Sequence, residues 1–184
     1  MSEVHLDYGF LGKEDLAPKT IPILVVKDWT SKMIMAATVP RKTTGAYVQK
    51  RVVGFLREVG CLHGDLIVKS DQEAAIKAVV EDVGRAKAAD GSGRYIIEHS
   101  PVGASQSNGI VERGIQSVMS QARVLLSAAQ EKWGVEIPIE HPFLCYLVEY
   151  AAVLINRFEV GADGRTAYER NKGKKATTMG IEIG

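Results

Sequence analysis

Three acidic residues, Asp7, Asp71 and Glu112, occupy positions from which one sheet and one helix could bring them together. Asp7 lies in a segment of alternating apolar and polar residues, and Asp71 ends a short apolar run. Glu112 opens a long amphipathic segment after a polar stretch. Carboxylate oxygens are the ligands that hard divalent cations such as Mg²⁺ and Mn²⁺ prefer. The chemistry of such a site depends on the elements that position the three acids.

Residues 105–113 resemble a polar loop that runs into a long helix. The apolar residues that follow recur in steps of four and three, which is the period of an amphipathic helix. They are Val111, Ile115, Val118, Ala122, Leu125 and Ala129. Glu112 lies on the polar border of this stripe. Taken alone, a glutamate there is usually a solvated surface residue.

The first forty residues predict three strands joined by short connections, which favours antiparallel pairing. Residues 4–10 alternate as a half-buried strand does, with Asp7 on the face opposite Leu6. Residues 21–26 and 33–39 are compact apolar runs, and residues 28–32 between them predict a hairpin turn.

The next elements are a helix, a strand and a second helix. A helical stripe ends at Gly60, and Thr43 or Thr44 is its predicted N-cap. Residues 66–71 form the fourth strand, and a helix over 74–87 follows. A carboxylate at the end of a strand, directly before a helix, is where α/β proteins place ligand sites. Capping of that helix is the competing interpretation of Asp71.

Residues 94–99 predict a fifth strand, and the helix that carries Glu112 precedes a last, strongly apolar helix over 143–158. The order β-β-β-α-β-α-β-α-α indicates an α/β fold, a five-stranded mixed sheet with helices on both faces. We expect one domain over residues 1–160. Residues 161–184 are basic and contain glycine, and we expect this tail to be poorly ordered.

The composition is that of an ordinary globular protein. The 184 residues are 46% hydrophobic and 24% charged, with a net charge of +1, so no overall basic field points to nucleic acid. Cys61 and Cys145 lack the spacing of a zinc site and fit a reducing compartment. We find no signal peptide and no apolar run of the roughly 20 residues that a membrane span needs.

If the first and fourth strands are neighbours, Asp7 and Asp71 point to one edge of the sheet, and the helix can bring Glu112 over them. Three carboxylates in one cleft repel each other strongly unless cations lie between them. Two divalent ions about 4 Å apart would clamp the attacking and leaving oxygens of a phosphoryl displacement. The pattern therefore predicts a two-metal site for phosphodiester chemistry.

The sequence resembles the catalytic core of retroviral and LTR-retrotransposon integrases, the D,D,E polynucleotidyl transferases of the RNase H-like superfamily. The resemblance rests on Asp7 in residues 5–8, on Asp71 in residues 69–73, and on residues 100–113. The last of these resembles the family's loop-helix signature and is the most specific. Residues 156–157 and 164–169 also resemble the segment that follows the core in copia-type elements.

The resemblance implies an RNase H-like fold in which Asp7, Asp71 and Glu112 bind two Mg²⁺ or Mn²⁺ ions. It implies trimming of the 3′ ends of element DNA and their transfer to target DNA. It also implies a dimer or higher oligomer that works inside the cell, in the nucleus or in a retroelement particle. Candidate DNA contacts near the acids are Lys69, Gln106, Asn108, Arg113 and Gln116.

The chain departs from the family pattern in several places. Forty residues separate Asp71 from Glu112, more than is usual in retroviral members. Gln116 stands where some members have a basic DNA contact, and Ala167 stands where related elements often have proline. The N-terminal zinc module and the C-terminal DNA-binding domain of the family are missing. We therefore expect a core fragment or a degenerate copy.

Two other functions remain open. One is a catalytically silent module that keeps the fold for DNA binding or dimerisation, through the helix that begins near Thr44 and the helix after Glu112. The other is a ribonuclease H, which shares the metal chemistry. For an integrase core without metal, we expect residues 106–109 to be mobile and Glu112 to point away from the aspartates.

Overall fold

A mixed sheet of five strands, in the order β3-β2-β1-β4-β5, forms the centre of the computed structural model. The structure describes residues 1–11, 21–42, 45–100 and 109–177. The strands are β1 (Ser2–Leu11), β2 (Ile21–Asp28), β3 (Ile34–Thr38), β4 (Leu66–Ser70) and β5 (Tyr95–His99). β1, β2 and β3 pair antiparallel, whereas β4 pairs parallel with both β1 and β5. The predicted mixed sheet is confirmed.

The helices cover both faces of the sheet, as predicted. They are α1 (Ala46–Glu58), α2 (Ala74–Asp90), α3 (Gly109–Trp133), α4 (Phe143–Phe158) and α5 (Ala167–Lys172). Alternation along β1 separates two cores, because successive side chains of a strand point to opposite faces. Leu6 and Tyr8 pack with α1 and α2, whereas Leu11 packs with α3 and α4. Asp7 therefore faces the layer of α3 and α4.

The start of α3 is packed tightly against β1. A β-carbon at Gly9 would lie only 2.5 Å from Cγ2 of Ile115, so this approach requires glycine. Val111, on the same side of α3, is fully buried. The contact fixes the position of the helix that carries Glu112.

The expectation of a poorly ordered tail is wrong for residues 167–172, which form α5. The Thr166 side chain accepts a hydrogen bond from the Glu169 N–H, and the Glu169 side chain accepts one from the Thr166 N–H. This capping box is a helix start signal that the sequence contains. Arg170 ties α5 to the β2–β3 hairpin by donating to the carbonyl of Ser31.

The helix start predicted for α1 is also wrong. Thr43 and Thr44 lie outside the described residues, and the helix begins at Ala46 with Gly45 as its N-cap and no capping side chain.

The predicted hairpin turn between β2 and β3 is confirmed. The buried Asp28 carboxylate accepts hydrogen bonds from the N–H and the hydroxyl of Ser31, both at 2.6 Å. Lys32 then takes a left-handed conformation with φ of 66°. The turn is thus fixed by local hydrogen bonds to a buried carboxylate.

β3 is an edge strand, and α4 satisfies its exposed backbone with a side chain. Asn156 accepts the Ile34 N–H at 2.8 Å and donates to the Ile34 carbonyl at 2.7 Å. The buried amide takes the place of a neighbouring strand, which protects the edge from pairing with another chain. Part of the segment that resembles copia-type elements therefore has a structural role.

We expect Gly9→Ala to lower the free energy of unfolding by about 1–3 kcal/mol, because the added methyl group overlaps Ile115. Gly54→Ala is the matched control, since Gly54 lies within α1 with nothing within 4 Å of the added β-carbon. It should raise stability by up to about 1 kcal/mol. Urea unfolding measures both, and equal effects would contradict the packing argument.

We expect Asn156→Leu to cost about 2–4 kcal/mol, because it leaves a buried N–H and a buried carbonyl of Ile34 without partners. Asn171→Leu is the control, since the side chain of Asn171 donates an exposed hydrogen bond to the carbonyl of Glu58. Its cost should stay below about 1 kcal/mol. Comparable losses in urea unfolding would show that the amide does not secure the edge strand.

Candidate active site

The parallel pairing of β1 with β4 brings Asp7 and Asp71 together. Its register runs from Ser2 opposite Leu66 to His5 opposite Lys69. Continued by two residues, it places Asp7 beside Asp71, the first residue after β4. The two aspartates also share a face of the sheet, because Asp7 lies two residues beyond His5 and Asp71 two residues beyond Lys69, which is paired with His5.

The charge of Asp71 acts directly on Asp7. The pKa of Asp7 is raised from 3.8 to about 6, first by burial and next by repulsion from the charge of Asp71. The N–H of Tyr8, which donates to Asp7 Oδ1 at 2.7 Å, and the charge of Lys42 oppose this rise but do not cancel it. Two adjacent carboxylates, one of which does not ionise easily beside the other, are suited to binding a divalent cation.

Asp71 does not cap α2, so that interpretation is wrong. The N-cap of α2 is Glu73, and Asp71 Oδ1 accepts the Glu73 N–H at 3.0 Å. The Glu73 carboxylate is itself held by Lys42 Nζ at 2.7 and 2.9 Å. These bonds fix the turn that presents Asp71 at the edge of the sheet.

The first turn of α3 passes over the part of β1 that contains Asp7. Ile110 lines a cavity of about 440 Å³ together with His5, and Ile115 packs on Gly9. Glu112 lies between these contacts and is exposed. Within the described residues, however, no three His, Cys, Asp or Glu side chains are close enough to hold a metal ion. The structure therefore brings Asp7 and Asp71 together without the Glu112 carboxylate.

The donor set fits magnesium or manganese in part. Asp7 and Asp71 supply adjacent hard oxygens, and the pKa of Asp7 is raised by burial and then by the charge of Asp71. Glu112 can reach the pair only if the first turn of α3 or its side chain moves. Its role as the third ligand stays a prediction.

The predicted DNA contacts differ in their surroundings. Lys69 is partly buried between Glu3 at 3.1 Å and Glu98 at 3.7 Å. Arg113 and Gln116 are exposed on α3, and the Arg113 Nε–H donates to the Gly109 carbonyl. Gln106 and Asn108, with most of the loop expected to be mobile, lie outside the described residues. DNA contact by all five stays a prediction.

Glu3 and His5 are neighbours of the site that the sequence pattern could have revealed. They share the face of β1 with Asp7, because the side-chain period of a strand is two. His5 is buried, with Nε2 2.7 Å from Glu3 Oε1, and burial lowers its pKa. The pair links Lys69 to β1 next to the aspartates.

The arrangement of strands and helices is similar to that of several solved structures. The BIV integrase catalytic core matches with a TM-score of 0.59 over 93% of this chain and 93% of its own, at 19% identity. The HTLV-2 integrase catalytic core in complex with magnesium matches with a TM-score of 0.57 over 92% and 95%, at 14% identity.

The chain has the RNase H-like fold of retroviral integrase catalytic cores. It also matches a chain of the simian T-cell lymphotropic virus intasome with a TM-score of 0.63 and 15% identity, and it spans 57% of that chain. No family model matches the sequence, and no curated protein matches it. The integrase-like core is thus identified by its fold, while the copia-type resemblance rests on the sequence motifs.

We expect the contribution of Asp7 to the stability of the metal-free protein to fall as pH rises from about 4 to about 7. The folded state keeps the Asp7 proton up to a pKa of about 6, whereas the unfolded chain releases it near 4, so this stabilisation is present at low pH and is lost above 6. Asp7→Asn lacks the effect. Urea unfolding in EDTA should show the variant gaining on the order of 2 kcal/mol relative to wild type across this range. Parallel pH profiles would contradict the raised pKa.

Proposed function

We propose that the chain is a divalent-metal-dependent polynucleotidyl transferase, the catalytic core of a retroelement integrase. The observation that carries the proposal is the pair Asp7 and Asp71, brought together by parallel strands on the fold of integrase cores. Its substrates are the ends of the element's DNA and a target DNA. The resemblance of residues 156–157 and 164–169 to copia-type elements favours an LTR retrotransposon as the source.

Asp7, Asp71 and Glu112 would hold two Mg²⁺ or Mn²⁺ ions. When bound, such ions lower the pKa of an attacking water or 3′-hydroxyl and stabilise the leaving oxygen. Asp71 is oriented by the Glu73 N–H, and Asp7 by its place within the sheet. The HTLV-2 core solved in complex with magnesium supports the choice of ion.

Glu112 controls when the site is complete. Because it lies in the first turn of α3, a rotation of its side chain or of that turn brings a third carboxylate to the aspartates without moving the sheet. The added negative charge is tolerable only when a cation is present, so metal and Glu112 would enter together.

Self-association through the helices is part of the proposal. The HTLV-2 core is described in dimeric and trimeric forms. In this chain Tyr47 of α1 and Tyr146 and Val153 of α4 are exposed apolar side chains, and Tyr47 donates to Glu149 of α4 at 3.3 Å. We place the contact with a partner copy at this surface of α1 and α4 in place of the predicted surface of α1 and α3. Val124 of α3 is exposed as well.

A catalytically silent DNA-binding or dimerisation module is the second candidate. The observation that favours it is the absence of a three-ligand metal group within the described residues. In that case the aspartates would be remnants of a site, and added metal would leave the stability of the protein unchanged. The loop-helix signature of residues 100–113 favours an integrase over a ribonuclease H.

We expect the chain to cut and join labelled element-end DNA with Mn²⁺ or Mg²⁺, and Asp71→Asn or Glu112→Gln to reduce the rate by 10³-fold or more, roughly 4 kcal/mol of barrier. Glu131→Gln, a change of the exposed acid at the far end of α3, should leave the rate unchanged. Mn²⁺ at about 100 times its Kd should also stabilise wild type by about 2.7 kcal/mol, but not Asp71→Asn.

Three outcomes would redirect the assignment. Absence of activity and of metal stabilisation in the wild type would favour the silent module. Cleavage of an RNA–DNA hybrid in preference to duplex DNA would favour a ribonuclease H. Equal loss of activity in Glu131→Gln would show that the assay reports folding and not the site.

A further inference from the structure

A cluster of positive charges lies beside the acidic pair on the same face of the sheet. Lys27 of β2, Lys32 of the β2–β3 hairpin and Arg113 of α3 form this basic cluster. The positive charges of Lys32 and Arg113 both act on Lys27. No sequence motif pointed to the two lysines, because they come together with Arg113 only in the folded chain.

Lys27 is placed one step along the sheet from the aspartates. It pairs with His5, whereas the residue two positions earlier, Val25, pairs with Asp7. Two residues of a strand span about 7 Å, so Lys27 lies within reach of the backbone beside a phosphate at the aspartates. The Lys27 side chain runs beside α3, where a β-carbon at Gly114 would lie 3.4 Å from its Cδ. The basic cluster is therefore continuous with the candidate active site.

The ammonium groups of this cluster are not neutralised by salt bridges. Burial lowers the pKa of Lys27, the repulsion of Lys32 and Arg113 lowers it too, and the charge of Glu159 opposes this. Burial also lowers the pKa of Lys32, whose ammonium lies 3.5 Å from the centroid of the Trp29 ring. In the part of the chain that the structure describes, no carboxylate lies within 4.0 Å of either ammonium.

A groove of about 530 Å³ gives access to these lysines. Its lining includes Lys27, Thr30, Lys32, Glu159, Asp163 and Arg170. Asp163 is paired with Arg170, which also donates to the carbonyls of Arg165 and Ser31. Glu159, whose charge acts on Lys27, is then the remaining acid of this lining, so the groove keeps an excess of positive charge.

We propose that the basic cluster binds the phosphodiester backbone of the DNA strand whose neighbouring phosphate lies at Asp7 and Asp71. Like charges that are partly removed from water and lack a salt bridge are stabilised by an anion between them. Thr30 adds a hydroxyl donor to the groove. Arg113 follows Glu112 directly in α3, so the cluster lies next to the proposed third ligand. The assignment rests on the proposed function, and it adds Lys27 and Lys32 to the DNA-binding surface.

The test compares DNA binding by two double variants in an Asp71→Asn background with EDTA, so that neither cleavage nor metal affects the result. Lys27→Met keeps the aliphatic stem beside Gly114, and Lys32→Asn suits the left-handed backbone at φ 66°. The control removes two exposed charges from α1 on the opposite face, Lys50→Met with Arg57→Met. Urea unfolding confirms that both variants fold.

Fluorescence anisotropy with a labelled DNA duplex, measured from low to high salt, gives the affinity and its salt dependence. Loss of two phosphate contacts should reduce the slope of log K against log salt concentration by about 1.8 and weaken binding by roughly 10- to 100-fold near 0.1 M salt. The control should bind as its parent does.

Equal weakening in both double variants, or an unchanged slope in the Lys27 and Lys32 variant, would overturn the inference. If the wild type cuts and joins DNA while this double variant binds DNA normally, the inference fails and the proposed function stands. If binding depends on the basic cluster but the wild type is inactive, the inference stands and catalysis fails.

Discussion

The repulsion between Asp7 and Asp71 is the constraint around which the rest of the structure is arranged. The register of the parallel β1–β4 pair, continued by two residues, places the two carboxylates side by side. Burial and this repulsion raise the pKa of Asp7 to about 6, so the metal-free fold carries an electrostatic cost at neutral pH. The surrounding sheet must therefore be stable enough to hold an unfavourable pair, which its two hydrophobic cores provide.

The same constraint explains why the third acid is placed on a helix. A third carboxylate fixed on a neighbouring strand would add a permanent repulsion, whereas Glu112 in the first turn of α3 can remain exposed to water until a cation arrives. Because Gly9 has no side chain, Ile115 packs directly on the backbone of β1 and the body of the helix lies close to the aspartates. Under the proposed function, a helix body packed on β1 with a solvated first turn would keep Glu112 near the aspartates at little electrostatic cost.

The order of elements and the mixed sheet could be predicted from the sequence, because strand and helix periods are local signals. The proximity of Asp7 and Asp71 followed only on the condition that the first and fourth strands are neighbours, which the β1–β4 pairing meets. The start of α5 is also encoded locally, because Thr166 and Glu169 have the spacing of a capping box. The ion pair of Lys42 with Glu73 and the contact of Asn156 with Ile34 could not be predicted. They join residues 31 and 122 positions apart, and no local pattern encodes such distances.

The net charge of +1 gives no sign that acidic and basic side chains are separated within the fold. Charges that cancel over the whole sequence are separated on one face of the sheet, where Asp7 lies opposite Val25 and Lys27 lies opposite His5, two residues further along. A phosphodiester needs both fields: cations held by carboxylates at the reacting phosphate, and ammonium groups at the phosphates beside it. Neither field is strong at long range, because each is screened by the other. If the chain binds DNA as proposed, local separation of charge would favour docking of a strand in one register over general attraction to nucleic acid.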